Sequence, residues 1–166
     1  MKKILSTTLG VLVLSGCIQM PKYEAPKPVT LPVFPFSEYE NLKLAGNEKL
    51  SGQVFLKTVG GDVKVGAGNP VILLPKTSYT DFQYRLYLTG VRREKEDSRA
   101  AKYEKLTTAD ATGSFEFDGL SPGQYYVTSL VSWMRPSRFG LLPEGGEVMS
   151  PVTVSQGKKN TLMLTK

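Results

Sequence analysis

Histidine is absent from the 166 residues, and cysteine and tryptophan occur once each. Without His, the chain lacks an essential part of both Ser/His/Asp and Cys/His nucleophile systems. It also lacks the commonest transition-metal ligand. Long apolar runs are missing too. The longest, Ile4 to Leu14, has about 11 residues, well short of the ~20 that a bilayer-spanning helix needs.

Carboxylates are the remaining catalytic candidates. Glu94, Glu96 and Asp97 sit in a charge run, and Glu144 and Glu147 flank the turn-like Gly145-Gly146. Neither group isolates one carboxyl in apolar surroundings, which is how a general acid acquires a raised pKa. The expectation is therefore a protein that is not an enzyme, with no metal, no cofactor and no small-molecule substrate. The formal charge of +6 is unclustered, which argues against nucleic acid.

What is present begins with Lys2-Lys3, the apolar stretch to Leu14, and Leu14-Ser15-Gly16-Cys17. A charged, then apolar, then small-residue order is that of an export signal. The last four residues resemble the lipobox of bacterial lipoproteins, which implies a signal peptide over 1–16 and acyl chains on Cys17 as the new N-terminus. The alternatives are a single transmembrane anchor, disfavoured by the short apolar run, and an ordinary secretory signal with a chance cysteine, disfavoured because it would leave a lone thiol in an oxidising compartment. Loss of Lys2 and Lys3 would bring the charge from +6 to +4. Ile18 after the cysteine, in place of Asp, resembles lipoproteins released to the outer membrane. The implied location is the outer membrane, lipid-anchored and facing the periplasm.

Residues 17–48 read as a lipidated N-terminus and tether, because Pro21, Pro26, Pro28, Pro32 and Pro35 favour extended polyproline II. Its distal residues Leu31, Val33, Phe34 and Phe36 are apolar enough to dock on something. The folded domain is expected over 49–166. Leu50 to Thr58 reads as a strand, and Pro70 to Pro75 as a strand covered on both faces. Thr80 to Val91 fits helix and strand alike, with helix favoured, Thr80 as N-cap and Asp81 in the first turn. The next residues would pair Arg92 with Glu96 and Arg93 with Asp97 at helical spacing.

Tyr103 to Thr108, Ser114 to Asp118 and Gln124 to Trp133 form a meander, with Asp110 to Gly113 as a tight turn. Met134 to Pro151 is dense in Pro and Gly and reads as loop. Val152 to Val154 and Thr161 to Leu164 close the domain as a strand or hairpin.

The stretch from Thr107 to Val127, with Thr108-Ala109-Asp110, Gly113-Ser114-Phe115-Glu116-Phe117 and Leu120-Ser121-Pro122-Gly123-Gln124-Tyr125-Tyr126-Val127, resembles the signature of carboxypeptidase regulatory-like domains, relatives of the transthyretin-type sandwich. Leu50 to Val54, Gly68 to Leu74 and Val152 to Leu164 are similar to other strands of that family. The resemblance implies a mainly β, antiparallel Greek-key β-sandwich of about seven strands without catalytic residues, used as an accessory, spacer or binding module. The segment from Pro75 to about Ala101 is a longer insertion than the family carries.

Two functions compete at this point. One is a structural or docking subunit of an envelope assembly of the secretion or conjugation type, bound to protein partners. The other is a glycan or cell-wall binding module, suggested by eight Tyr, most of which alternate within strands and so suit core packing equally well. Trp133 to Leu142 holds the residue types enriched at interface centres. Trp133, Arg135, Arg138 and Phe139, joined by Tyr79 and Arg85 from the insertion, are the candidate partner-binding set. The alternative is that Trp133 ends a strand in the core while Phe139 to Leu142 plug the sandwich end.

Overall fold

Apolar residues alternate with polar ones along Leu50 to Leu56 and Ser114 to Leu120, the period that places every second side chain on one face of a strand. In the computed structural model, which describes residues 26–166, both stretches are strands. The order is α1 (Phe36–Tyr39), β1 (Ala45–Lys57), β2 (Val63–Val65), β3 (Pro70–Pro75), α2 (Ser78–Thr89), a 3₁₀ turn over Ala100–Tyr103, β4 (Lys105–Thr108), β5 (Ser114–Leu120), β6 (Gly123–Ser137), β7 (Gly140–Val154) and β8 (Asn160–Leu164). The lipobox and Cys17 lie outside the described residues.

One sheet is built on β1, which pairs antiparallel with β2 and β5 and parallel with β8. The other runs β4-β3-β6-β7, all antiparallel. Their inner faces meet in a core that includes Leu50 and Val54 from β1, Val71 and Leu73 from β3, Phe115 and Phe117 from β5, Val127 and Val131 from β6, and Leu164 from β8. This is a β-sandwich. Among the described residues it has eight strands, in line with the expected count of about seven, and β8 enters parallel to β1 rather than forming a hairpin with β7.

The expected Asp110 turn is present. Asp110 Oδ1 accepts from the Thr112 and Ser114 backbone N–H groups at 2.7 and 2.9 Å, which with the Thr112 hydroxyl lowers its pKa. Gly113 has φ 78°, and a Cβ there would stand 2.7 Å from the Val54 carbonyl oxygen.

Helix α2 covers the outer face of the second sheet, where Tyr84 and Tyr87 pack with Leu74, Tyr126, Met149 and Ile72. Strand β3 is thus buried on both sides, as its unbroken apolar run requires. The helix starts earlier than its periodicity suggests. Thr77 is the N-cap, its Oγ1 accepting from the Thr80 N–H at 3.3 Å while Thr80 Oγ1 accepts from the Thr77 N–H at 2.9 Å. Thr80 therefore closes a reciprocal cap from inside the first turn instead of being the cap. Gly90, at φ 67°, ends the helix. The charge run beyond it is not helical, so the expected pairs do not form: Arg93 reaches Glu147 and Asp97 binds Arg99.

Two further expectations are corrected. The folded body does not wait for Lys49: Val29 bridges Arg93, donating its N–H to the Arg92 carbonyl at 2.8 Å. Phe34 and Tyr39 are buried with Tyr79 and Ala100, flanked by Leu31, Leu42 and Tyr103. Of the apolar residues at the distal end of the tether, Leu31 and Phe34 find their partner in their own domain, whereas Val33 and Phe36 stay exposed. Residues 134–151 are not loop either, because β6 and β7 form a hairpin in register from Gly123↔Val154 to Ser137↔Gly140. Prolines are tolerated there because β7 is an edge strand and β3 stops pairing with β6 at Ser129, leaving free edges on which a missing N–H costs no ladder bond.

Candidate functional site

The six residues expected to bind a partner do not form one surface. Tyr79 is 1% exposed, and its hydroxyl accepts from the Asp97 N–H at 2.9 Å. It is a core residue, buried because the N-terminal segment covers it. Arg85 is exposed on α2, with its guanidinium 5.5 Å from the Phe82 ring. Pro75, just before the helix, pairs with Tyr125, and the hairpin tip at Ser137 lies twelve residues further along β6, about 40 Å at 3.3 Å per residue. Arg138 and Phe139 form that tip, the guanidinium 4.6 Å from the ring centroid. They plug nothing, for Phe139 is 80% exposed.

Trp133 and Arg135 do come together, and Glu144 is what joins them. Alternation on β6 places Val131, Trp133 and Arg135 on one face. Val131 is wholly in the core, Trp133 packs against the core's margin, and Arg135 is exposed. Trp133 is paired in register with Glu144 on β7. Its Nε1 donates to Glu144 Oε2 at 3.2 Å, and Arg135 Nε donates to Glu144 Oε1 at 2.9 Å. One carboxylate thus fixes both the indole edge and the guanidinium.

These side chains form one wall of an open groove of about 560 Å³. The other wall is the β1–β2 turn, with Thr58, Asp62 and Lys64. Lys64 and Asp62 are 3.9 Å apart. The groove continues past Leu56 and Gly145 into a second depression of about 610 Å³, lined by Tyr87, Arg93, Lys95 and Lys166. Gly145 sits at the junction with φ 131°, its backbone against the Val131 carbonyl. A side chain there would be strained.

The second depression is structurally committed. Arg93 Nη1 and Nη2 donate to the two oxygens of Glu147 at 2.8 and 2.6 Å, and Lys166 Nζ stands 5.2 Å from the centroid of the Tyr87 ring. Burial pushes the Glu147 carboxyl up, but the Arg93 guanidinium and the Thr128 hydroxyl outweigh it and leave the pKa below its ordinary value. In the first depression, a half-buried indole stands beside charged groups that project into solvent. Such a set can stack an apolar ring face while bonding its polar substituents.

Among the described residues, no group of three or more His, Cys, Asp or Glu is placed to hold a metal ion. Again among these residues, no helix is long and apolar enough to cross a membrane. Glu144 was weighed from the sequence only as a carboxylate beside a turn, and neither it nor Asp62 was placed in the partner-binding set. The signal for Glu144 was its pairing across a hairpin, and the prolines and glycines of 134–151 hid that hairpin.

No protein-family model and no curated protein matches the chain. Among solved structures, it is similar to a Pseudomonas aeruginosa protein described as a "putative carbohydrate binding protein". The two are 31% identical, with a TM-score of 0.73, over 82% of this chain and 99% of that one. The chain belongs to the family of this Pseudomonas protein. The likeness to the Pseudomonas relative gives no support to a secretion or conjugation subunit.

Proposed function

We propose that the protein is a non-catalytic glycan-binding module of the cell envelope, carried on acyl chains at Cys17 and facing the periplasm from the outer membrane. The observation that carries the reading is the half-buried Trp133, held at its edge by Glu144 and flanked by Arg135, in an open groove. Pyranose rings present patches of C–H that pack on an aromatic face, and hydroxyls that bond to carboxylates and guanidinium groups in fixed geometry. The description of the Pseudomonas relative supports the same ligand class. The open shape suits a stretch of polymer more than an enclosed monosaccharide.

The lipobox resemblance supports the envelope address, and the resemblance to carboxypeptidase regulatory-like domains supports an accessory role. Purified wall polymer and lipopolysaccharide, each immobilised, separate this reading from protein docking. A glycan module is retained on one of them and released by soluble fragments of the same polymer, and Trp133→Ala or Glu144→Ala abolishes retention. Failure to bind either polymer, together with stoichiometric recovery of protein partners from solubilised envelopes, would overturn it.

A further inference from the structure

The outer end of the β6–β7 hairpin extends beyond the groove, whose edge Met134 and Pro136 also border. From Met134 to Pro143 it is a two-stranded ribbon, since β3 stops pairing with β6 at Ser129. Met134 pairs with Pro143, and Pro136 with Leu141. Side chains paired across an antiparallel ladder share a face, so these four apolar residues form one stripe, opposite the face that carries Trp133 and Arg135. Phe139 crowns it at the turn. Met134, Phe139 and Leu141 are 56%, 80% and 61% exposed, so the stripe and its crown form a contiguous apolar surface open to solvent, the kind of surface that marks an interaction site.

Charge and position both indicate what covers it. No acid occurs from Trp133 to Pro143; Arg135 is taken by Glu144 on the other face, which leaves Arg138 as the tip's cation, lying over the Phe139 ring. An aromatic tip with a cation beside it and no anion suits the boundary between acyl chains and anionic headgroups. The path of the N-terminal segment supplies the second argument. Val29 is bonded to Arg92 and Glu94, and Arg93 to Glu147. Glu147 pairs with Leu130 at the root of the ribbon. From Val29 the chain runs to Phe34 and Tyr39, beside Tyr79 at the other end of α2. The N-terminal segment thus enters the folded body at the ribbon's root.

The seven residues from Glu147 to Gly140 reach about 23 Å. The twelve from Cys17 to Val29 span at most about 43 Å. An anchor at Cys17 and the ribbon tip can therefore reach one bilayer together.

We infer that the β6–β7 tip is a second membrane contact: Phe139, Met134 and Leu141 enter the interface of the bilayer that holds the Cys17 acyl chains, and Arg138 meets its anionic headgroups. This rests on the lipid-anchor reading for its geometry. The tip's own affinity for a bilayer is separate from it.

The full chain, reconstituted into phosphatidylethanolamine–phosphatidylglycerol vesicles, tests the inference through an environment-sensitive fluorophore on Leu141→Cys, with Thr153→Cys at the hairpin's other end as reference. The label at 141 should shift to the blue and be quenched roughly twofold or more by brominated lipid, the label at 153 remaining aqueous. Adding Phe139→Asp and Arg138→Glu should abolish quenching at 141 without changing the circular dichroism spectrum. An aqueous label at 141, on protein that floats with the vesicles and carries lipid by mass spectrometry, would overturn the inference and leave the anchor intact. A quenched label on protein without lipid would do the reverse. An aqueous label on unlipidated protein would overturn the inference as well.

Discussion

Arg93 and Glu147, 54 residues apart in sequence, form a bidentate ion pair with both N–O distances under 2.9 Å and both side chains mostly withdrawn from solvent. The pair ties three separate pieces together. Arg93 lies in the irregular segment after α2, its backbone bridged to Val29 of the N-terminal segment, and Glu147 belongs to edge strand β7. Charge-assisted bidentate bonds of this kind are shorter and stronger than neutral ones. The pair accordingly holds the N-terminal segment and the end of the helix against the sheet, beside the Trp133 groove.

That pair predicts a pH dependence. The Glu147 pKa is lower in the folded protein than its ordinary 4.5, so its stabilisation is fully present above about pH 4.5 and is lost as pH falls through the lowered value. Glu38, held down by Ser78, and Asp97, held at about 2 by Arg99, act in the same direction. Glu104 opposes them, since burial and Glu96 raise its pKa. Glu147→Gln should cost about 2 kcal/mol at neutral pH. Denaturant melts across the acid range should show that difference from wild type closing as pH falls from 4.5 through the lowered pKa.

Phe115 and Phe117 contact each other edge to face at 5.9 Å in the centre of the sandwich. Replacing either with Ala should cost about 3–5 kcal/mol, a large share of what a domain of this size has. Chemical denaturation measures it directly. A neutral effect at both positions would contradict the assigned inner face.

Where local chemistry and tertiary packing agree, the structure was legible in the sequence. The Asp110–Gly113 turn, the alternation of β5 and the twice-covered β3 each depend on residues within a few positions of one another. The hairpin over 134–151 was not legible, because Pro136, Pro143 and Pro151 are strand breakers locally and become acceptable only on free edges. Tyr79 was misplaced for the converse reason. What buries it, Phe34 and Tyr39, lies about 40 residues away in a segment whose prolines read as tether. Trp133 and Arg135 were found by residue type, but Glu144 required knowing the register between strands.

Tyr79→Ala therefore carries a stability penalty rather than a binding one. With its ring buried between Phe34 and Ala100, the loss should be about 3 kcal/mol. Arg85→Ala, on the exposed face of α2, should stay within about 0.5 kcal/mol. Melting temperatures of the two variants check this.

Cys17 makes a chemical prediction of its own. Cys17→Ser should yield a form that stays unprocessed or leaves the detergent phase, while wild type partitions into detergent and carries acyl mass at its N-terminus. More than one chain is expected, since one alone binds a bilayer only marginally, at about 10⁴ M⁻¹. Wild-type protein free of lipid would contradict the anchor.

Trp133 is the single tryptophan of the chain, so its emission reports on the groove without labelling. The central claim is that a glycan stacks there, and the most direct measurement is intrinsic fluorescence titrated with soluble fragments of wall polymer and of lipopolysaccharide core. The account predicts a saturable shift in Trp133 emission with at least one of them, and its loss in Glu144→Ala and Arg135→Ala variants that remain folded. Unchanged emission throughout, from folded protein that is nonetheless retained on the polymer, would place the binding surface elsewhere and contradict the assignment of the groove.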